Sequence, residues 1–236
     1  MRINVFYHIF LTEGVESIVL DQIRLLSEKC SEFDIYVNIN DVYSGRYSLS
    51  EETMDDIKRL AEEVTFCNEM TYEMSTLSLL YNHALKNDGY YLYIHTKGAS
   101  KAILKGNPIY GYFYENIENW RKMMEHFCIE NSALCIGGLQ THDIVGSNYY
   151  RKTDKIPAHF SGNFWWAKSE FIRRLPDISK MENNHGRYLA EFWIGMLPHR
   201  GLCIGSVHGD GPEMWPTPKK LQENINKIFM EEVTNI

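Results

Sequence analysis

The sequence has no long Lys/Arg-rich stretch, no C-x-x-C pair, few prolines and no long apolar run, and each lack removes a class of protein. The 24 Lys and Arg are outnumbered by 31 Asp and Glu, for a formal charge of −7. A duplex binder relies on a basic footprint that displaces counterions, so broad nucleic-acid binding is disfavoured. The five cysteines, Cys30, Cys67, Cys128, Cys135 and Cys203, are odd in number and scattered. Four of them lie in or beside apolar segments, which predicts buried thiols in a reducing compartment rather than disulfides or a zinc site. No apolar run reaches the roughly 18 residues of a transmembrane helix, and MRINVFYHIF has neither a long apolar core nor a small-residue cleavage site. The expected setting is therefore cytoplasmic. Only 7 prolines against 44% apolar residues exclude disorder and collagen-like classes. What is there is one sizeable core within 236 residues, unusually rich in aromatics, with 15 tyrosines.

Periodicity organises the first 95 residues as β, α, β, α, β, α, β. Ile3 to Phe10 reads as a strand, and Val15, Ile18, Val19, Ile23 and Leu26 recur at helical spacing up to Cys30. FDIYVNI (33–39) is a second strand, Ser50 caps a helix running to about Glu63, and Val64 to Cys67 is a third strand. A helix over 72–86 is broken by Asn87-Asp88-Gly89 before the β-rich YYLYIH (90–95). Such alternation predicts an α/β fold with a mainly parallel, Rossmann-like central sheet and helices on both faces, with ligands at the carboxyl ends of the strands. The second half is less regular. We expect a loop from Lys97 to Asn107, a helix from Ile109 to Phe127, a strand from Ala133 to Leu139 and a polar loop from Gln140 to Ala158. A strand over 162–167, a short helix capped by Ser169, a helix near 187–197, a strand over 202–206 and a terminal helix over 218–236 complete the chain.

Three polar clusters stand at predicted strand ends. In the first, His95-Thr96-Lys97-Gly98, a lysine can neutralise a diphosphate while glycine lets backbone N–H groups approach it; a solvated loop lysine is the plain alternative. In the second, HFSGNFWW, Ser161 and Gly162 permit close backbone approach, Asn163 offers donors and an acceptor, and a tryptophan can pack on a sugar ring. His159, Ser161, Gly162, Asn163 and Trp166 are the candidate sugar or acceptor residues, although one of Trp165 and Trp166 should serve the core. In the third, His208 and Asp210 can point at one ion from an extended loop, too few ligands to specify a metal. Glu191, upstream among apolar neighbours, is a candidate base whose partial burial would favour proton transfer near neutrality. For a nucleoside, the ends of the first two strands offer Tyr7, His8 and Phe10 to border a base and Asn38 and Asn40 to hydrogen-bond it. Glu69 in NEMTYE is a further candidate, or else a helix-start acid favoured by the dipole.

The order of these clusters resembles a glycosyltransferase of the GT-A type. More closely, YYLYIHTKG with Trp120-Arg121 beyond it, then CIGGL and SGNFWWAK, is similar to the rhamnan-synthesis glycosyltransferases, of which a related domain occurs in large-virus glycosyltransferases. The resemblance covers roughly residues 3–210. It implies a GT-A-like domain over 1–217, with a nucleotide-binding half (1–98) and an acceptor or sugar half (99–217), followed by a helix over 218–236. It also implies a nucleoside-diphosphate sugar, UDP- or dTDP-linked, as donor, a glycan hydroxyl as acceptor, and polysaccharide synthesis as the setting. In it Glu191 matches the acidic helix residue, with Asp210 as the other candidate base, and His208 matches the C-terminal histidine. One departure matters: the chain contains no D-x-D, and His95-Thr96-Lys97 stands where that motif belongs. Either Lys97 and His95 stabilise the leaving diphosphate without metal, or a divalent ion, Mn²⁺ or Mg²⁺, binds through fewer ligands such as His208 and Asp210. A base for the acceptor hydroxyl suits an inverting reaction. The competing readings are a non-catalytic glycan- or nucleotide-sugar-binding module of the same fold and, less well supported, a metal-dependent hydrolase. Oligomeric state has no signature in these motifs.

Overall fold

Strands buried on both faces belong inside a parallel sheet, and the two most apolar runs of the N-terminal half behave that way. Ile3–Phe10 forms β1, with six consecutive buried residues. Tyr90–His95 forms β4, buried throughout. The computed structural model describes residues 1–154, 156–182, 186–205 and 230–235. β1 pairs in parallel with β2 (Asp34–Asn40) on one side and β4 on the other, and β2 pairs in parallel with β3 (Glu63–Cys67). Between them run α1 (Glu16–Lys29), α2 (Glu51–Leu60) and α3 (Met74–Ala84). The Ser50 hydroxyl accepts the Thr53 N–H at 3.2 Å, the expected N-cap of α2.

The second half adds four strands to the same sheet: β5 (Ile144–Gly146), β8 (Trp165–Lys168), β9 (His199–Ile204) and β10 (Met230–Asn235). The order is β10-β9-β5-β8-β4-β1-β2-β3, with β8 and β10 antiparallel to their neighbours and the other pairings parallel. A two-stranded ribbon of β6 (Tyr149–Tyr150) and β7 (His159–Phe160) stands apart from it. Helices cover both faces. Residues of α1, α2, α4 (Gly111–Glu125) and α5 (Ser132–Gly138) share one core with Val5, Tyr7 and Ile9. Those of α3, α6 (Ser169–Ile172) and α7 (Leu189–Trp193) share the other with Phe6, Tyr91 and Tyr93. Among the described residues no helix is long and apolar enough to cross a membrane. The cysteines are free, four buried and Cys67 half-buried.

Four expectations fail, all in the second half. The strand expected over 133–139 is helix α5; a short apolar run fits a buried strand or a buried helix equally well. Here it follows the π-helical turn His126–Glu130, and the Leu139 N–H bonds the Cys135 carbonyl in helical register. The polar loop expected over 140–158 contains β5 and β6. The terminal helix expected over 218–236 is a strand in its described part, 230–235, because β9 offers an unpaired edge and Val233 buries against it. Ser169 also lies inside α6 rather than capping it: its hydroxyl accepts the Gly89 N–H, and Lys168 stands at the cap position.

Candidate functional site

In the order β4-β1-β2-β3 the connections diverge between β1 and β4, so the crevice beyond their carboxyl ends is where an open α/β sheet places its ligand. Residues from four segments meet there. His95 ends β4, and its Nε2 donates to the Gly162 carbonyl at 2.9 Å. The Gly162 N–H donates to Glu191 Oε1 at 2.7 Å, so the 161–163 turn is held between β4 and α7. Gly162 has φ +92°, a backbone sign that calls for glycine, and a Cβ there would run into Met124 Sδ. Asn163 follows with φ 60°; its amide donates to Glu73 Oε2 at 2.6 Å and its oxygen accepts from Trp165 Nε1 at 2.8 Å.

Glu73, immediately before α3, also accepts from the Tyr93 hydroxyl at 3.0 Å, and its Oε1 stands 3.6 Å from His95 Nδ1. His8 bonds Thr76 at 2.7 Å and faces the same carboxylate. Burial pushes both imidazoles below their ordinary range, His8 to about 4 and His95 to about 3, with Lys97 adding to the effect at His95. Lys97 leaves the strand end with its ammonium 4.4 Å from the centre of the Trp120 ring. Gly98, at φ +92°, turns the chain where a Cβ would meet Ile117 Cγ2 at 2.8 Å.

His8, His95, Lys97, Gly98, Ser161, Gly162, Asn163 and Glu191 thus come together or adjoin. Six expected binders serve the fold instead. Tyr7 is fully buried in the core on the opposite face, so its ring cannot border a base. The Asn38 amide donates to Ser75 and Thr76 and its oxygen accepts from Thr65, so both of its donors are spent within the fold. The Thr96 hydroxyl accepts the Phe10 N–H and staples β4 to β1. Trp166, like Trp165, is fully buried, and its Nε1 donates to the Cys128 carbonyl. Asn40 is likewise turned inward, donating to the Glu69 and Tyr72 carbonyls. His159 bonds the Pro157 carbonyl and stacks on Tyr150, anchoring the ribbon before the turn. Glu69 is an exposed residue of the turn that precedes α3. His208 and Asp210 lie outside the described residues.

The sequence reading missed Glu73. Its signal was positional: Glu73, Thr76, Leu77, Leu80 and Ala84 fall on one helical stripe, of which the last four are fully buried. A carboxylate at the head of a buried stripe is a better candidate than Glu69, four residues earlier. Among the described residues no group of three or more His, Cys, Asp or Glu could hold a metal ion. Their donor set does not fit a divalent ion.

Fold and site together define an α/β protein with a polar cluster at the carboxyl edge of a mainly parallel sheet. Residues 6–215 match the family described as a domain of unknown function (DUF8361), and the chain belongs to that family. No curated protein matches it. Among solved structures it is similar to S. aureus TarS 1–349, at 10% identity and a TM-score of 0.40. The match covers 81% of this chain and 55% of that one, and a likeness so loose says nothing about activity.

Proposed function

We propose that this protein is a glycosyltransferase that moves a sugar from a nucleoside-diphosphate sugar, UDP- or dTDP-linked, to a hydroxyl of a glycan acceptor in polysaccharide synthesis. The observation that carries the reading is the 161–163 turn, held between His95 and Glu191 at the carboxyl edge with the Lys97 ammonium nearby. Transfer forms a bond from the acceptor oxygen to the anomeric carbon while the bond from that carbon to the diphosphate oxygen breaks. The diphosphate leaves with the electron pair, and Lys97 offsets its charge. Gly98 lets the backbone approach the diphosphate, and Glu191 receives the acceptor proton, which suits inversion. Asp210 is the alternative base, and with His208 the alternative ion site. The free thiols suit a cytoplasmic setting.

Incubation with a panel of nucleotide sugars, with and without Mn²⁺, tests this by release of free nucleotide. Release by the wild type that is lost in folded Glu191→Gln supports transfer. The second reading, a binding module of the same fold, is favoured by one observation: Glu191 and Glu73 both accept hydrogen bonds from the protein itself. Binding of a nucleotide sugar without any release of nucleotide would establish that reading instead.

A further inference from the structure

Glu73 and His95 present an unmatched pair of acceptors. A carbonyl only accepts, so the His95 Nε2 bonded to Gly162 at 2.9 Å carries the ring proton. Burial beside Lys97 keeps the imidazole neutral. Nδ1 is then a lone pair, and it faces Glu73 Oε1 at 3.6 Å, beyond hydrogen-bond distance. The other carboxylate oxygen already accepts from Tyr93 and Asn163. The Glu73 side chain is 22% exposed, so the pair opens to the crevice. Both acceptors are therefore open to donors from outside the chain.

We propose that Glu73 Oε1 and His95 Nδ1 form a sugar subsite that takes one hydrogen bond each from two neighbouring hydroxyls of a sugar without an acidic group. The inference rests on the glycosyltransferase reading and names the substrate class of that same site. Glu73 repels an anionic group at this position. The sugar taken therefore carries no acidic group here and offers two adjacent free hydroxyls. The pair recognises substrate, while proton transfer and charge balance stay with Glu191 and Lys97.

Three measurements test this. First, UDP-glucose or dTDP-glucose should bind the wild type about tenfold or more tighter than the matching nucleoside diphosphate, the scale of hydrogen bonds to a charged group. Glu73→Gln should keep the nucleotide affinity and lose that increment. Its melting temperature should not fall, because the new amide can donate to His95 Nδ1 while its oxygen keeps Tyr93 and Asn163. Second, ¹⁵N spectra at neutral pH should show His95 as the Nε2–H tautomer; an Nδ1–H tautomer or an imidazolium overturns the proposal whatever the nucleotides do. Third, methyl glucoside should move the His95 Nδ1 resonance of the wild type and not that of Glu73→Gln, which decides the subsite even if no nucleotide binds. An unchanged sugar increment in Glu73→Gln contradicts the proposal, as does an Nδ1 resonance unmoved by methyl glucoside. Binding of Mn²⁺ alone that is lost in Glu73→Gln would make the pair a cation site and overturn it too.

Discussion

Two polar clusters lie on opposite faces of β1 and β4, each built around glutamate but to different ends. On the face of α1 and α4, Arg121 is 1% exposed and donates to Glu125 Oε1 at 2.9 Å, which also accepts from Gln22 at 2.8 Å. Both ends of that ion pair come from one helix, and Gln22 passes the connection on to the His95 carbonyl at 3.2 Å. On the face of α3, the Glu73 cluster draws on the approach to α3, the end of β4, the 161–163 turn and α7. Its charges are not paired with one another; its carboxylates hold N–H and O–H groups of loops. The difference separates support from site. A buried ion pair within one helix fixes a backbone, whereas acceptors gathered from separate loops can open to a ligand and close again.

The comparison is sharpened most by Arg121→Met, which leaves Glu125 buried without its partner and should lower stability by roughly 3–5 kcal/mol in a denaturant titration. Glu73→Gln should change it little. A comparable loss for both would erase the distinction. Gly162→Ala should cost roughly 2–4 kcal/mol, from the left-handed φ and the encounter with Met124 Sδ. Because the turn is shared by His95 and Glu191, that variant should also lose nucleotide-sugar binding.

Acid should act on the second cluster. His8 has a folded value of about 4, below the ordinary 6.5, so the unfolded chain binds more protons between the two. Its stabilising contribution is whole above pH 6.5 and falls by roughly 3 kcal/mol as pH drops to about 4. His95, with a folded value of about 3, adds to the decline from pH 6.5 downward and carries it on to about pH 3. Melting curves across this range should be flatter for His8→Gln than for the wild type; parallel curves would remove His8 from the account. A small stability effect is expected for Lys97→Met, roughly 0.5–2 kcal/mol for its contact with Trp120, against a large loss of turnover.

The first half of the fold was legible because each element carries its own period. β1 and β4 are short β-rich runs ending in Phe10 and His95, and Ser50 announces α2 in one residue. The second half depends on partners far along the chain. ALCIGGL reads alike as strand or helix until the π-helical turn before it fixes the direction, and Met230–Asn235 is a strand because β9 leaves an edge to be covered. The same division runs through the site. Strand ends and glycine turns pointed to His95, Lys97 and Gly162. Which polar side chains remain free for a ligand is a matter of tertiary hydrogen bonds, so Asn38 and Thr96 read as binders although they hold the strands together. Glu73 went unread because its partners, Tyr93 and Asn163, lie 20 and 90 positions away.

The central claim is that the cluster beyond β1 and β4 binds a nucleoside diphosphate. A thermal-shift panel of UDP, dTDP, GDP and CMP, with and without Mn²⁺, tests it most directly. At a concentration a hundredfold above its dissociation constant, a ligand of the folded state adds about 2.7 kcal/mol, a clear rise in melting temperature. The account predicts such a rise with UDP or dTDP in the wild type and its loss in folded Lys97→Met. No shift with any of the four at millimolar concentration, or an equal shift in Lys97→Met, would contradict it.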